Sequence, residues 1–504
     1  MSRTGALRWS LGAAVAIILA TSGPALASGG ASTHQTGQRS NTAAATGSEA
    51  ARRARPAAGV VPAAAGDTLW TRRYNGPGNS DDGATSVAVS SDGSTVFVTG
   101  GGTGSTSGYD YTTLAYRAST GATRWSKRYN GPGNGYDQAT ALGVSPDGST
   151  LFVTGASHGS GTNLDYATVA YKASTGAQLW VRRYNGPGNG IDYATALGVS
   201  ADGAIVFVTG YSRGSGTSDD YATVAYSTST GATLWTRRYD GPGDGSDMAR
   251  ALAVSPDGSA VFVTGESAGA TTGADYTTVA YSASTGRKIW LKRYNGPGNN
   301  ADLAHGVKVS PDASTVFVTG ESIGSDGGFD YATVAYHASN GTGVWAKRYS
   351  GAAQRDDYAT ALGVSPDGSA VFVTGYSVGV ANRFDYATVA YDASSGARLW
   401  VKRYNGPGND TDDANAIAVS PDSSKVVVTG ASVGSTGSID YATVAYDASS
   451  GAQLWVKRYS GAAGGNDFAY ALAIRPDGSA VFVTGESTGS TGFLDFATLA
   501  YRLF

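Results

Sequence analysis

Downstream of about residue 66, apolar and polar positions recur every 55 residues. Trp70, Trp125, Trp180, Trp235, Trp290, Trp345, Trp400 and Trp455 keep that interval without an insertion or deletion. Inside one period the pattern is that of strands. In the copy from Asp357 to Trp400, residues 359–365 are small and apolar, Pro366-Asp367-Gly368 supplies a turn, and Ala370 to Thr374 is strongly strand-forming. A loop of glycine and polar residues follows, then a third strand over Asp385 to Tyr391, a turn at Ser394-Ser395-Gly396, and a fourth strand over Leu399 to Tyr404. Four antiparallel strands per unit, copied eight times, predict an all-β fold, an eight-bladed β-propeller.

The copies are out of phase with the blades. Leu69 to Tyr74 is a lone fourth strand, and the chain stops at Phe504 just after a third strand. Pairing Leu69–Tyr74 with Asp495–Tyr501 closes the ring, with one blade shared between N- and C-terminal strands. An open superhelical array would need polar end caps that these ends lack. The first strand of each blade is expected to line the central axis, where its recurrent Ala and Gly suit the crowding. The fourth is expected outermost, and its adjacent basic residues, from Arg72-Arg73 to Lys457-Arg458, to guard the exposed edge against pairing.

Arg3 and Arg8, the apolar stretch Leu11 to Ala20 and the small-residue run Pro24-Ala25-Leu26-Ala27 predict a signal peptide over 1–27 and a secreted, extracellular product. The apolar stretch is too short for an ordinary membrane span, so none is expected in the mature protein. Residues 28–65, rich in Ala, Gly, Ser and Thr, read as a flexible linker, and 66–504 as the eight repeats. The net charge of −3, from 36 basic and 39 acidic residues with no basic block in the repeats, argues against nucleic acid as a partner. The absence of cysteine removes disulfides, thiolate metal sites and cysteine nucleophiles, leaving packing and ring closure to supply stability. His34, His158, His305 and His337 share no repeat phase and suggest neither a zinc site nor a triad.

The run Ala390-Tyr391-Asp392-Ala393-Ser394-Ser395-Gly396-Ala397-Arg398-Leu399-Trp400 resembles the tryptophan-docking motif of quinoprotein-type (PQQ-like) propellers, Ala-x-Asp-x-x-Ser/Thr-Gly-x-x-x-Trp. Ala445 to Trp455 matches equally, while Arg117, Lys172, Ser227, Ser282 and His337 replace the motif's Asp in other copies. Asp192-Tyr193-Ala194 to Val206-Phe207-Val208-Thr209-Gly210 and its copies are also similar to secreted bacterial β-propeller repeats. The first resemblance implies that all eight tryptophans are structural docking residues wedged between blades. It also raises a quinoprotein dehydrogenase, but no tryptophan is then left to stack on the quinone, Trp9 leaving with the signal. The adjacent cysteine pair of many such enzymes is absent, and no blade carries an enlarged loop.

Two aspartate series recur, one from Asp82 to Asp467 before each first strand and one from Asp110 to Asp495 before each third. They are expected to fix turns and to pair with the second basic residue of the fourth strand. For calcium, Asp410-Thr411-Asp412-Asp413, and Asp240 with Asp244 and Asp247, cluster oxygen ligands in loops, without the spacing of an EF-hand. No residue pattern specifies a cofactor; calcium and PQQ are the two that the loops and the resemblance would admit.

The residue after the recurring Val-Thr-Gly changes from copy to copy: Gly101, Ala156, Tyr211, Glu266, Glu321, Tyr376, Ala431 and Glu486. Read as loop residues on one face, Tyr136, Tyr211, Glu266, Glu321, Tyr376 and Glu486 are the candidate ligand-binding set. Tyrosine faces and carboxylates beside a central depression suit a sugar or a peptide; drift among duplicated loops is the competing explanation. The expected function is a secreted, monomeric, non-catalytic binding or scaffold module for an extracellular protein or carbohydrate. The alternative is a quinone- or calcium-dependent oxidoreductase.

Overall fold

A computed structural model describes residues 64–243, 245–351, 355–379 and 383–504. The expected signal peptide, and the expected linker up to residue 63, lie outside the described residues. The described chain is all-β, with strands running from β1 (Thr68–Tyr74) to β32 (Leu494–Arg502) in eight four-stranded antiparallel sheets. Blade 1 consists of β2 (Asp82–Val89), β3 (Thr95–Thr103), β4 (Tyr109–Arg117) and β5 (Thr123–Tyr129), and blades 2 to 7 repeat it. Blade 8 is assembled from both ends of the chain, in the order β30 (Asp467–Ile474), β31 (Ala480–Thr488), β32 and β1. Trp70 lies opposite Ala500 and Tyr74 opposite Phe496, the closure expected from the phase of the repeats.

The apolar core is divided into eight layers between blades, because each sheet presents both faces to its neighbours. Val87, Val96 and Leu114 of blade 1, for example, pack with Phe482, Phe496 and Trp70 of blade 8. Three sets of hydrogen bonds cross these layers. Near the axis, Thr85 Oγ1 donates to the Ala139 carbonyl of blade 2 at 2.9 Å, and Thr140, Thr195, Thr360 and Asn415 make the corresponding bond. In mid-blade, Tyr111 Oη donates to the Ala167 carbonyl at 3.1 Å, and its counterparts do the same as far as Tyr441; Phe496, in blade 8, has no hydroxyl to continue the set. At the periphery the indole of Trp70 donates to the Ala118 carbonyl of blade 1 at 2.8 Å, and six further tryptophans repeat the bond. Only a glycine fits beneath the ring: Gly121 has φ +68°, and a Cβ there would lie 2.7 Å from the Trp70 indole.

The basic pairs do more than shield an edge. The second member pairs with the third-strand aspartate of its own blade in all eight blades, as in Arg183–Asp165 at 2.8 Å, and Arg183 also donates to Tyr129 Oη of the preceding blade. Where the first member is arginine it reaches the next blade, Arg72 Nε donating to the Gly121 carbonyl at 2.8 Å. The sequence pattern shows a strand edge but not the neighbouring blade that covers part of it. The first-strand aspartates close the long interblade loops: Asp137 accepts from the Gly131 and His158 amides at 2.8 and 3.0 Å.

Candidate functional site

Every first strand carries a bulge. In β2, Ala84 pairs with Gly100 and Ser86 with Thr99, leaving Thr85 as the extra residue, and the same shift recurs in all eight blades. A bulge re-aims its unpaired side chain. Here it keeps the fourth residue of each innermost strand half-open near the axis. That residue is Thr85, Thr140, Thr195, Arg250, His305, Thr360, Asn415 and Tyr470 in turn.

The second strands run past their expected ends, to Val378 rather than Thr374 in blade 6, so the residue after Val-Thr-Gly is a strand residue and not a loop residue. It pairs with the second residue of the innermost strand, as Tyr211 does with Tyr193 and Glu266 with Met248. This placement corrects the loop assignment of Tyr211, Glu266, Glu321, Tyr376 and Glu486. Tyr136 alone lies on an interblade loop, exposed, stacked on Tyr109 with ring centroids 5.5 Å apart. Together these residues border one end of the axis, which we term the channel mouth.

The three glutamates share an arrangement. Arg250 Nε donates to both oxygens of Glu266 at 3.0 Å, His305 Nε2 lies 2.6 Å from Glu321 Oε2, and Tyr470 Oη donates to Glu486 Oε1 at 2.7 Å. Each partner is the bulge residue of the same blade, and each replaces the Thr or Asn that in five other blades bonds across to the next blade. Glu266 and Glu321 are only 7% and 5% exposed, so their partners relieve the cost of burying charge. Burial alone would depress the His305 pKa, but Glu321 outweighs it and the net shift is upward. These partners are the residues the sequence reading missed, His305 among them.

Aromatic rings occupy two stretches of the mouth. On blades 1 to 3, Tyr193 stacks on Tyr211 at 5.6 Å, and Gln138 Oε1 accepts from Tyr193 Oη at 3.1 Å and from Tyr136 Oη. On blades 5 and 6, Tyr358 contacts Phe329, Tyr376 and Phe384 at centroid distances of 5.4, 5.0 and 5.9 Å. Two further charges lie on the innermost strands. Asp413, on the innermost strand of blade 7, has its pKa raised by burial to about 6. Lys308 stands where the other copies have Ala or Gly, and burial lowers its pKa to about 8.

The expected calcium ligands are rearranged. Asp410 pairs with Arg383 at 3.3 Å, Asp412 accepts the Gly406 amide, and Asp413 lies on the innermost strand opposite Ala431, so the run 410–413 does not converge. Asp240 and Asp247 come together with Asp220, one oxygen of each within 4.8 Å of the others, the one such triad found among the described residues. Asp244 lies outside the described residues. Asp247 is already bonded to the Gly241 and Ala268 amides, and Asp220 to Arg238.

The chain is similar in fold to Sqt1 of Chaetomium thermophilum, solved bound to the N-terminus of the ribosomal protein L10, with TM-score 0.57 and 12% identity over 84% of this chain and 97% of that one. It is also similar to the quinohemoprotein alcohol dehydrogenase of Comamonas testosteroni, with TM-score 0.51 and 13% identity over 87% and 76% of the two chains. For BamB of Moraxella catarrhalis the values are 0.48 and 14% over 86% and 99%. No curated protein matches the sequence. The family model described as outer membrane protein assembly factor BamB matches residues 112–278 and 274–498, well over half of the chain. The protein therefore belongs to this family of PQQ-like β-propeller repeat proteins.

Proposed function

We propose that the protein is a secreted, non-catalytic binding module that holds an extracellular protein or glycan at the channel mouth. The observation carrying this reading is the coupled departure of two positions. A glutamate follows Val-Thr-Gly in three blades, and in each of those blades the bulge residue is the Arg, His or Tyr that bonds to it. Independent drift of the two residues has no reason to change both positions in the same blades. At Arg250 and His305 the change also gives up a threonine of the type that stitches blades together elsewhere. The aromatic rings on either side supply contact area, and the carboxylates supply directional hydrogen bonds.

A quinone cofactor fits these residues poorly. A bound quinone would require a ring-stacking surface and free cationic or metal partners for its carboxylates. Each indole lies against a glycine of the next blade, and Arg250 is already held by Glu266. The test presents the full chain to a glycan array and to labelled extracellular proteins, alongside Tyr211→Ala and Tyr376→Ala. Binding that either substitution removes while the melting temperature holds supports the reading. Binding indifferent to both places the site elsewhere, and quinone-dependent turnover in the presence of calcium would favour the oxidoreductase.

A further inference from the structure

Asp413 is the only charged residue at the second position of the innermost strands, which elsewhere hold Gly, Gln, Tyr, Met, Leu, Tyr and Phe. Its cross-strand neighbour is Ala431, which leaves the carboxylate uncovered on that side. The nearest amide side chain on its own strand, Asn415, is committed to the Ala469 carbonyl at 2.9 Å. Among the described residues no hydrogen-bond donor or cation pairs with Asp413, and the charge acting on it most directly is the repulsive one of Asp412. This differs from Glu266, Glu321 and Glu486, each of which has a partner built into its own blade.

Asp413 has aromatic neighbours on the adjacent blade. Tyr376 and Tyr386 of blade 6 lie within its electrostatic reach, and Tyr376 also feels Glu321 on its other side. The Tyr376 ring meets Phe384 edge-on at 5.2 Å and Tyr358 at 5.0 Å, and Tyr358, the cross-strand partner of Tyr376, holds on the adjacent blade the same strand position as Asp413. Aromatic faces attract cations through their quadrupole, and desolvation strengthens the attraction. A neutral sugar could hydrogen-bond to Asp413 but would leave its half-buried charge without a counter-ion.

On the reading that the mouth is the binding site, we propose that its ligand carries a primary ammonium or guanidinium group seated between the Asp413 carboxylate and the Tyr376–Phe384 cluster. The group belongs either to a lysine or arginine side chain of a partner protein or to a free polyamine. In the unliganded protein the raised pKa leaves part of the Asp413 population protonated near pH 6, and ligand binding draws it to the ionised form. Affinity should therefore fall as the pH drops through that range.

The test is calorimetric titration of the full chain at pH 7.5 and pH 5 with N-acetyl-arginine methylamide, N-acetyl-lysine methylamide, spermidine and an uncharged oligosaccharide. Binding of at least one cation is expected at pH 7.5, weakening about tenfold at pH 5, the factor set by one pH unit below the acid's pKa. Preference for the two amino-acid derivatives over spermidine assigns the group to a protein side chain, and the reverse assigns it to a polyamine. The near-isosteric Asp413→Asn should weaken binding at least about tenfold at pH 7.5, one pKa-unit equivalent or more, and abolish the pH dependence. Ser149→Ala, in a turn of the opposite face, should change neither. Should Asp413→Asn fail to fold, Tyr376→Ala carries the same expectation of weakened binding. Cation binding unchanged by these substitutions, or no cation binding at all, overturns the proposal. An uncharged oligosaccharide whose binding is lost on Tyr211→Ala would overturn it while leaving the mouth as the binding site; ligand binding indifferent to all the mouth substitutions would remove both.

Discussion

Replacing Trp235 and Trp455 separately with phenylalanine should give unequal losses of stability, although the two residues occupy equivalent positions. Both are buried, at 6% and 9% exposure, and each lies over a glycine of the next blade, Gly286 and Gly66. The indole of Trp235 donates to the Ala283 carbonyl at 2.9 Å, whereas that of Trp455 finds no acceptor among the described residues. The apolar part of the loss, a fraction of the about 3–5 kcal/mol expected for truncation to alanine, is common to both and largely cancels. At position 235 the substitution also orphans a buried carbonyl, which costs about 1–3 kcal/mol. Arg237, 5.9 Å above the Trp235 ring, adds about 0.5 kcal/mol more. Trp235→Phe should therefore cost about 1–3 kcal/mol more than Trp455→Phe. Equilibrium urea unfolding of the full chain, followed by circular dichroism, measures both. An equal loss, or a larger one at Trp455, would refute the account of how the indoles hold the blades and of why the join into blade 8 differs.

The melting temperature should rise as the pH falls from 7.5 to 5.5. Burial raises the folded-state pKa of Asp82 to about 6 and raises those of Asp137, Asp192, Asp247 and their counterparts, while Glu321 raises that of His305 against the opposing effect of burial. The folded state then holds more protons than the unfolded state in this window, and a flat or falling trend would contradict it. Turn aspartates such as Asp147, lowered chiefly by the Ser145 hydroxyl, have the opposite sign, but their contribution is lost only as the pH falls below about 4. Lys308→Ala restores the small residue of the other copies and should stabilise the protein by about 1–3 kcal/mol at pH 7, an advantage that shrinks between pH 8 and 10.5 as the unfolded lysine also loses its proton; urea midpoints at both ends of that range test it. Ala313→Gly and Ser423→Gly should each raise stability by about 1 kcal/mol, because these residues hold φ near +60° where the other copies have glycine, and no gain in thermal unfolding would argue against strain at these turns. Deleting residues 28–75 should lower the melting temperature sharply by removing β1 from blade 8, while deleting 28–65 should not; equal melting would contradict the shared blade.

The period and the strand pattern were enough to place the blades and their closure, because each rests on local alternation and on where the copies start and stop. The mouth was only half visible. Tyr211, Glu266, Glu321, Tyr376 and Glu486 stand out when the copies are compared, yet Arg250, His305 and Tyr470 do not, because a bulge inside a run of small residues leaves no local mark. A signal was present: each glutamate lies 16 residues beyond a departure from the Thr or Asn of the other copies. The sequence pattern presents the basic pairs as edge protection, with the second member a partner for the aspartates, because a one-dimensional pattern omits the neighbouring blade that Arg72 and Arg183 reach. Asp220 joined Asp240 and Asp247 for the same reason, coming from a strand far enough along the chain to leave no spacing motif.

The central claim is that the mouth pairs serve binding rather than stability. It is tested most directly by levelling two of them to the pattern of the other copies, with Arg250→Thr, Glu266→Ala, His305→Thr and Glu321→Ala in one full-length chain. The new threonines should recover the bond to the next blade that Thr85 makes to Ala139. The account predicts that the levelled protein melts at or above the temperature of the parent and no longer holds the extracellular partner that the parent retains. A levelled protein that melts well below the parent, or that keeps the partner with undiminished affinity, would contradict it.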